Sequence, residues 1–337
     1  MRTLALCSVV TLILSTFAFA DTAGQLESKP LKVEGLPGKI NALLQAWSVE
    51  DKTAAAAPHL NFKLRRAELK LSGSPVENTR YFMMVDPAKA ISADPTVTDR
   101  KIVQDLGIGF TVTPGLEVVA GQFKILTNAE GLDSSAALLF PERSLVSRTY
   151  GDKREPGLMI AYTGDGYKVG VMASNGQGPN ADAAADTKDL SVRTDVTVAK
   201  GISVGAFGLF GDFEYNKKGR WGVNTRMALT EESTVGVEFN MGRLNSVNSY
   251  GVMADAGYFV TQEIQPVIRY ELLNTDTATN TLGQQASLGV NYVLLKNTAK
   301  VQFSYSYLEN MAGNLGSPKL AVGSFGHLFT LAFQMAI

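Results

Sequence analysis

From about residue 39 to the end of the chain, apolar and polar positions alternate with a period of two, the mark of half-buried strands. Leu158, Ile160 and Tyr162 alternate, as do Leu190, Val192, Thr194, Val196 and Val198. Phe329, Leu331, Phe333, Met335 and Ile337 form the last such set. Between them stand Gly, Ser, Asn, Gln, Thr and charges, as in Gln302, Ser304 and Ser306, so one face is polar in strand after strand. Strands in ordinary sheets average about five or six residues. These read as roughly ten, the length a tilted strand needs to cross a membrane.

The connections alternate too. Short ones read SGSPVEN, TPG, TGDG, AKG, TEES, TQE and KNT; long ones span roughly 51–59, 87–101, 126–156, 174–188, 213–219, 243–248, 274–284 and 309–326. A transmembrane barrel has short periplasmic turns and longer outer loops. A soluble β-sandwich has no reason to keep that order along the whole chain. The strands between these connections number about sixteen, even as bacterial barrels require. Tyr162, Tyr167, Tyr258, Tyr270 and Tyr307 fall at strand ends, where interfacial girdles lie. The expected fold is all-β: a transmembrane antiparallel β-barrel over residues 39–337.

Residues 1–20, MRTLALCSVVTLILSTFAFA, carry Arg2, an apolar core and an Ala-Phe-Ala site, the form of a cleaved signal peptide. Residues 21–38 are polar with two prolines and read as a short periplasmic lead. The only cysteine, Cys7, lies in the leader, so no disulfide framework is expected. Without Arg2 there remain 30 Lys and Arg against 32 Asp and Glu, which gives no footing for nucleic acid. No later stretch holds about eighteen consecutive apolar residues, which excludes a helical membrane protein. Outer-membrane lipid is the expected surrounding. The last strand, HLFTLAFQMAI, has the form read by the barrel-assembly machinery, although it ends on Ile337 and not on an aromatic residue.

Sixteen strands enclose more space than side chains fill, leaving an aqueous channel. Function then depends on what narrows it and which charges line it. Parity turns Lys63, Arg66, Lys70, Arg80, Lys124, Lys168, Arg193, Arg226 and Arg269 inward, with Glu68, Asp195, Glu238, Asp255 and Glu271. In NFKLRRAELKL the apolar parity switches between Leu64 and Ala67, which predicts a bulge near Arg65 and Arg66. The longest connection, 126–156, does not alternate and contains SSAALLF, too apolar to stay in water. We expect it to fold into the barrel and narrow the channel, with Arg143, Arg148, Lys153 and Arg154 joining Lys124 there. The alternative is an external loop packed on a neighbouring protomer. A cationic constriction attracts anions, and arginine can hold phosphate or carboxylate through paired hydrogen bonds.

Three stretches resemble the phosphate-selective porin family, the O and P porins: FKLRRAELKLSGSPVENTRYFMMVD (62–86), GLEVVAGQFKI (115–125) and LDSSAALLFPERSLV (132–146). The resemblance implies a trimeric, sixteen-stranded outer-membrane porin that passes small anions or other hydrophilic solutes. Its constriction would carry Lys124, Glu142, Arg143, Arg65 and Arg66. The chain is shorter than is usual for that family and thin in lysine and arginine ladders, so a general porin stays open beside a phosphate-preferring one. A structural or adhesive barrel without an open pore is the other alternative. Catalysis would need histidine or cysteine partners, yet the two histidines, His59 and His327, sit in a loop and at a strand start, and no G-x-S-x-G or H-E-x-x-H motif occurs. No enzyme activity, metal or cofactor is expected.

Overall fold

The computed structural model describes residues 31–32, 38–53, 57–91, 101–182, 188–213, 216–244, 247–279, 282–295, 298–310 and 325–337. The leader and most of the lead therefore lie outside the described residues. Sixteen antiparallel strands close on themselves. They are β1 (Gly38–Thr53), β2 (His59–Gly73), β3 (Thr79–Val85), β4 (Val103–Thr113), β5 (Leu116–Lys124), β6 (Arg154–Gly164), β7 (Tyr167–Ser174) and β8 (Asp189–Ala199). Then follow β9 (Ile202–Phe213), β10 (Asn216–Met227), β11 (Ser233–Leu244), β12 (Val247–Tyr258), β13 (Ile264–Asn274), β14 (Leu282–Leu295), β15 (Ala299–Glu309) and β16 (Phe325–Ala336). Each strand pairs with its neighbours in sequence, and β16 pairs with β1 from Gly326 against Thr53 to Ala336 against Leu43. Closure leaves no sheet edge, the condition for β-structure in hydrocarbon. A two-residue strand, Leu31–Lys32, pairs with Lys39 and Ile40 ahead of the barrel.

The outward face is apolar as the alternation predicts. Leu158, Ile160, Val196, Trp221, Val223, Ile268 and Leu288 are all exposed on it. Tyr162 and Tyr167 flank the β6–β7 turn with ring centroids 5.9 Å apart. At the loop end, Tyr305 bonds His327 Nδ1 at 2.8 Å and lies 4.9 Å from the Phe329 ring. His327 therefore belongs to an aromatic band.

Two expectations need correction. The connections at 213–219 and 243–248 are not long loops: strands run to Phe213 and resume at Asn216, and run to Leu244 and resume at Val247. The polar residues there extend the strands at the rim, where an outward side chain need not meet hydrocarbon. The inner face is also not polar throughout. Phe82, Val119, Phe123, Met172 and Leu209 point inward and bury together. The reason is that Ile125 and Leu126, the start of the third loop, pack on them and exclude water.

Candidate functional site: the inward loop and its arginine cluster

The third loop, residues 125–153, lies inside the barrel. This settles its placement against the external alternative, and β6 begins at Arg154, so the loop ends three residues earlier than expected. The loop contains α1 (Ala129–Leu132), a 3-10 turn (Ser135–Ala137) and α2 (Leu145–Tyr150). Ser144 caps α2 by accepting from Ser147 N at 2.9 Å. Glu130 holds that cap, accepting from Ser144 N at 2.9 Å and from Ser144 Oγ at 2.6 Å. The face of α2 with Val146 and Tyr150 buries against Met253. Gly251 makes the approach possible, because a Cβ there would stand 2.9 Å from Val146 Cγ1.

Charged wall residues grip the loop from β8 to β13. Arg193 donates to Thr127 O at 2.7 Å, and Glu238 accepts from Glu130 N at 2.7 Å. Arg269 donates to Glu130 Oε1 at 2.5 Å, to Asp255 Oδ2 at 3.1 Å and to Glu142 O at 2.9 Å. Its guanidinium also lies 4.6 Å from the Phe140 ring centroid. Glu271 accepts from Val146 N at 3.2 Å. Parity turns each of these wall charges inward; their partners in the loop cannot be read from it. A gap of about 60 Å³ lies under Phe140 and Leu145, against Trp47, Val49 and Ser304.

The predicted bulge is present. Gln45 pairs with Arg66 and Ala46 with Leu64, so Arg65 is the extra residue of β2. Two consecutive arginines thereby face inward, which regular alternation forbids. Both meet Glu142. Arg65 Nε donates to Oε2 at 2.6 Å and Arg66 NH2 to Oε1 at 2.7 Å, with Arg148 NH1 3.4 Å from Oε1. Burial disfavours the charge of Glu142, but Arg66, Arg65 and Arg148 outweigh it and hold the carboxyl well below the usual carboxylate range. Arg148 Nε and NH1 are buried without a hydrogen-bond acceptor, so the cluster has donors to spare.

The other candidate residues are placed apart from this cluster. Lys124 Nζ donates to Gly131 O at 2.7 Å and to Asp133 O at 2.8 Å. Arg143 donates to Glu130 O at 2.9 Å and to Asp133 O at 2.6 Å. Both cations therefore bind the last carbonyls of α1. Arg154 pairs with Asp105 at 2.8 Å, and Lys153 is exposed. Toward the short-turn end, Lys70 is exposed and Arg80 pairs with Glu117. Glu130 was not foreseen, since nothing in the loop sequence marks it as the tie between α1, α2 and β13.

A closed sixteen-strand barrel with a folded loop inside it is the architecture of porin-type outer-membrane barrels. Residues 48–209 match the family described as phosphate-selective porin O and P, and this stretch holds all three resembling segments. The fold is similar to the anion-selective porin from Comamonas acidovorans, with 11% identity, 89% of this chain and 99% of that one covered, and a TM-score of 0.64. It is also similar to the outer membrane channel DcaP of Acinetobacter baumannii, with 11% identity, 91% and 100% covered, and a TM-score of 0.63. OprB of Pseudomonas putida matches with 10% identity, 89% and 94% covered, and a TM-score of 0.65. No curated protein matches the chain in sequence.

Proposed function

We propose that this channel passes small hydrophilic solutes passively and prefers anions. The observation that carries the reading is the cluster at Glu142, where three guanidinium groups meet one carboxylate. Lys70, Arg80, Lys153 and Lys168 stay open to water, and cations exposed to a channel attract anions. Arg65, Arg66 and Arg148 would form the constriction together with Glu142. Lys124 and Arg143 would act behind it by holding α1, and Lys70, Arg80, Lys153 and Arg154 would draw anions toward it. The Comamonas relative in fold is an anion-selective porin, and OmpT of Vibrio cholerae, another, is known in a trimer form. A homotrimer in outer-membrane lipid, delivered through a cleaved leader and the assembly machinery, accords with these.

The test is reconstitution of the purified protein in a planar bilayer. Stepwise conductance with a reversal potential of anionic sign in a potassium chloride gradient is expected. Absence of steps would show a barrel without an open pore, and a potential near zero would show a general porin. Phosphate that blocks chloride current at millimolar or lower concentration would narrow the solute class to phosphate.

A further inference from the structure

The tip of the loop is held differently from its two arms. Residues 135–139 lie inside the barrel without a strand partner, so their carbonyls need other donors. The wall supplies them from β14, β15, β16 and β1. Gln45 Nε2 donates to Ser135 O at 3.4 Å, and Gln334 Nε2 to Ala136 O at 3.0 Å. Lys300 Nζ donates to Leu138 O at 2.8 Å. Asn291 Nδ2 and Gln302 Nε2 both donate to Leu139 O, at 2.9 and 3.1 Å. All five side chains are buried, none more than 5% exposed. They also bond one another: Gln45 to Gln334 at 2.7 Å and Gln302 to Asn291 at 3.0 Å.

We propose that Gln45, Asn291, Lys300, Gln302 and Gln334 form a clamp that sets the aperture of the channel. They are positioning residues, acting on the permeating ion through the loop. This rests on the channel reading above. The mechanical path is continuous. Gln45 Oε1 accepts from Arg66 NH1 at 2.5 Å while its Nε2 reaches the loop, and Arg66 in turn holds Glu142. Glu142 follows the clamped segment by three residues, with Pro141 restricting the backbone between. Gln45 thus touches both the clamped segment and the arginine that holds Glu142. The clamp reads backbone carbonyls, so it is indifferent to which side chains the tip carries. All five residues lie outside the stretch 48–209 that matches the family. They stand on the first strand and the last three.

The test uses the full chain in detergent and in bilayers. Asn291→Leu with Gln302→Leu removes both donors to Leu139 O. Amide hydrogen exchange over residues 134–140 should become about tenfold faster, while exchange over 145–150 stays unchanged. Open-channel conductance and current noise should rise together. Lys300→Arg, which keeps a donor and the charge, should behave as the unmodified protein in all three measurements. Unchanged exchange over 134–140 in a double variant that migrates as folded would overturn the clamp. So would faster exchange with unaltered conductance and noise. If the double variant does not fold, Gln334→Leu decides on the same readouts. If the unmodified protein gives no current steps, the channel reading fails, and exchange alone decides whether the clamp exists.

Discussion

The inward loop meets the wall in two chemically different ways. Along β8–β13 it is held by ions, with Arg193, Arg226, Glu238, Asp255, Arg269 and Glu271 facing Thr127, Glu130, Asp133 and Val146. Along β14–β16 and β1 it is held by four amide side chains and one lysine on backbone carbonyls. Buried ion pairs are strong only while complete, since removing one member strands the other in a poorly solvating site. Amide bonds contribute about 1 kcal/mol each and fail one at a time. The ionic side therefore fixes whether the loop is seated at all, and the amide side fixes where its tip rests.

Arg269→Met should break the ionic side most severely. It leaves Glu130 and Asp255 buried without their shared cation, at a cost of about 3–5 kcal/mol. Gln302→Leu should cost about 1 kcal/mol by comparison. Unfolding followed in urea, or the temperature at which the folded species in detergent converts on a gel, measures both. Equal losses would erase the distinction between the two sides.

The Glu142 cluster lies between the two and shares features of each. Its carboxyl is held below the usual range, so in the folded chain it stays ionised at pH values where the unfolded chain binds a proton. The stabilisation is complete above the ordinary glutamate value of about 4.3. It is lost progressively as pH falls below that value toward the depressed one. Glu142→Gln should remove this acid dependence and destabilise by about 1–3 kcal/mol at neutral pH. It should also raise the chloride-to-potassium permeability ratio, since three arginines then face no carboxylate. Unfolding midpoints between pH 3 and 7, together with reversal potentials, check both outcomes. Retained acid dependence in the variant would place the titrating group elsewhere.

How much of this was legible in the sequence follows from the range of each signal. Alternation is a local property, so it revealed the barrel, the inward parity of Arg193, Glu238 and Arg269, and the bulge at Arg65. The apolar run SSAALLF within a nonalternating stretch showed that the third loop leaves water. What stayed hidden were pairings between residues far apart in the chain. Nothing near Lys300 marks it as the donor to Leu138, 162 residues away. The apolar inner patch was missed for the same reason: Met172 and Leu209 look like alternation faults until Ile125 and Leu126 are seen to cover them. Lys124 and Arg143 could be read as channel cations, but their bonds to the carbonyls of α1 appear only in three dimensions.

The smallest expected effect separates exposed from buried charge within the cluster itself. The Arg65 side chain keeps 19% of its exposure and that of Arg66 only 4%. Arg65→Gln should lower the chloride-to-potassium permeability ratio by about two- to fivefold, the scale of one unit charge at close range through water. Arg66→Gln should act mainly on stability, because Arg66 also bonds Gln45 within the clamp. Salt sharpens the difference. Raising ionic strength from about 0.1 to 1 M shortens the screening length from about 10 to 3 Å. The share of selectivity that Arg65 supplies should then shrink, whereas the bond between Arg66 and Glu142, shielded from solvent, should hold. Reversal potentials of both variants at the two salt concentrations test this. If Arg65→Gln and Arg66→Gln shift selectivity equally, and with equal salt dependence, the bulge has not divided its two arginines between the channel and the loop.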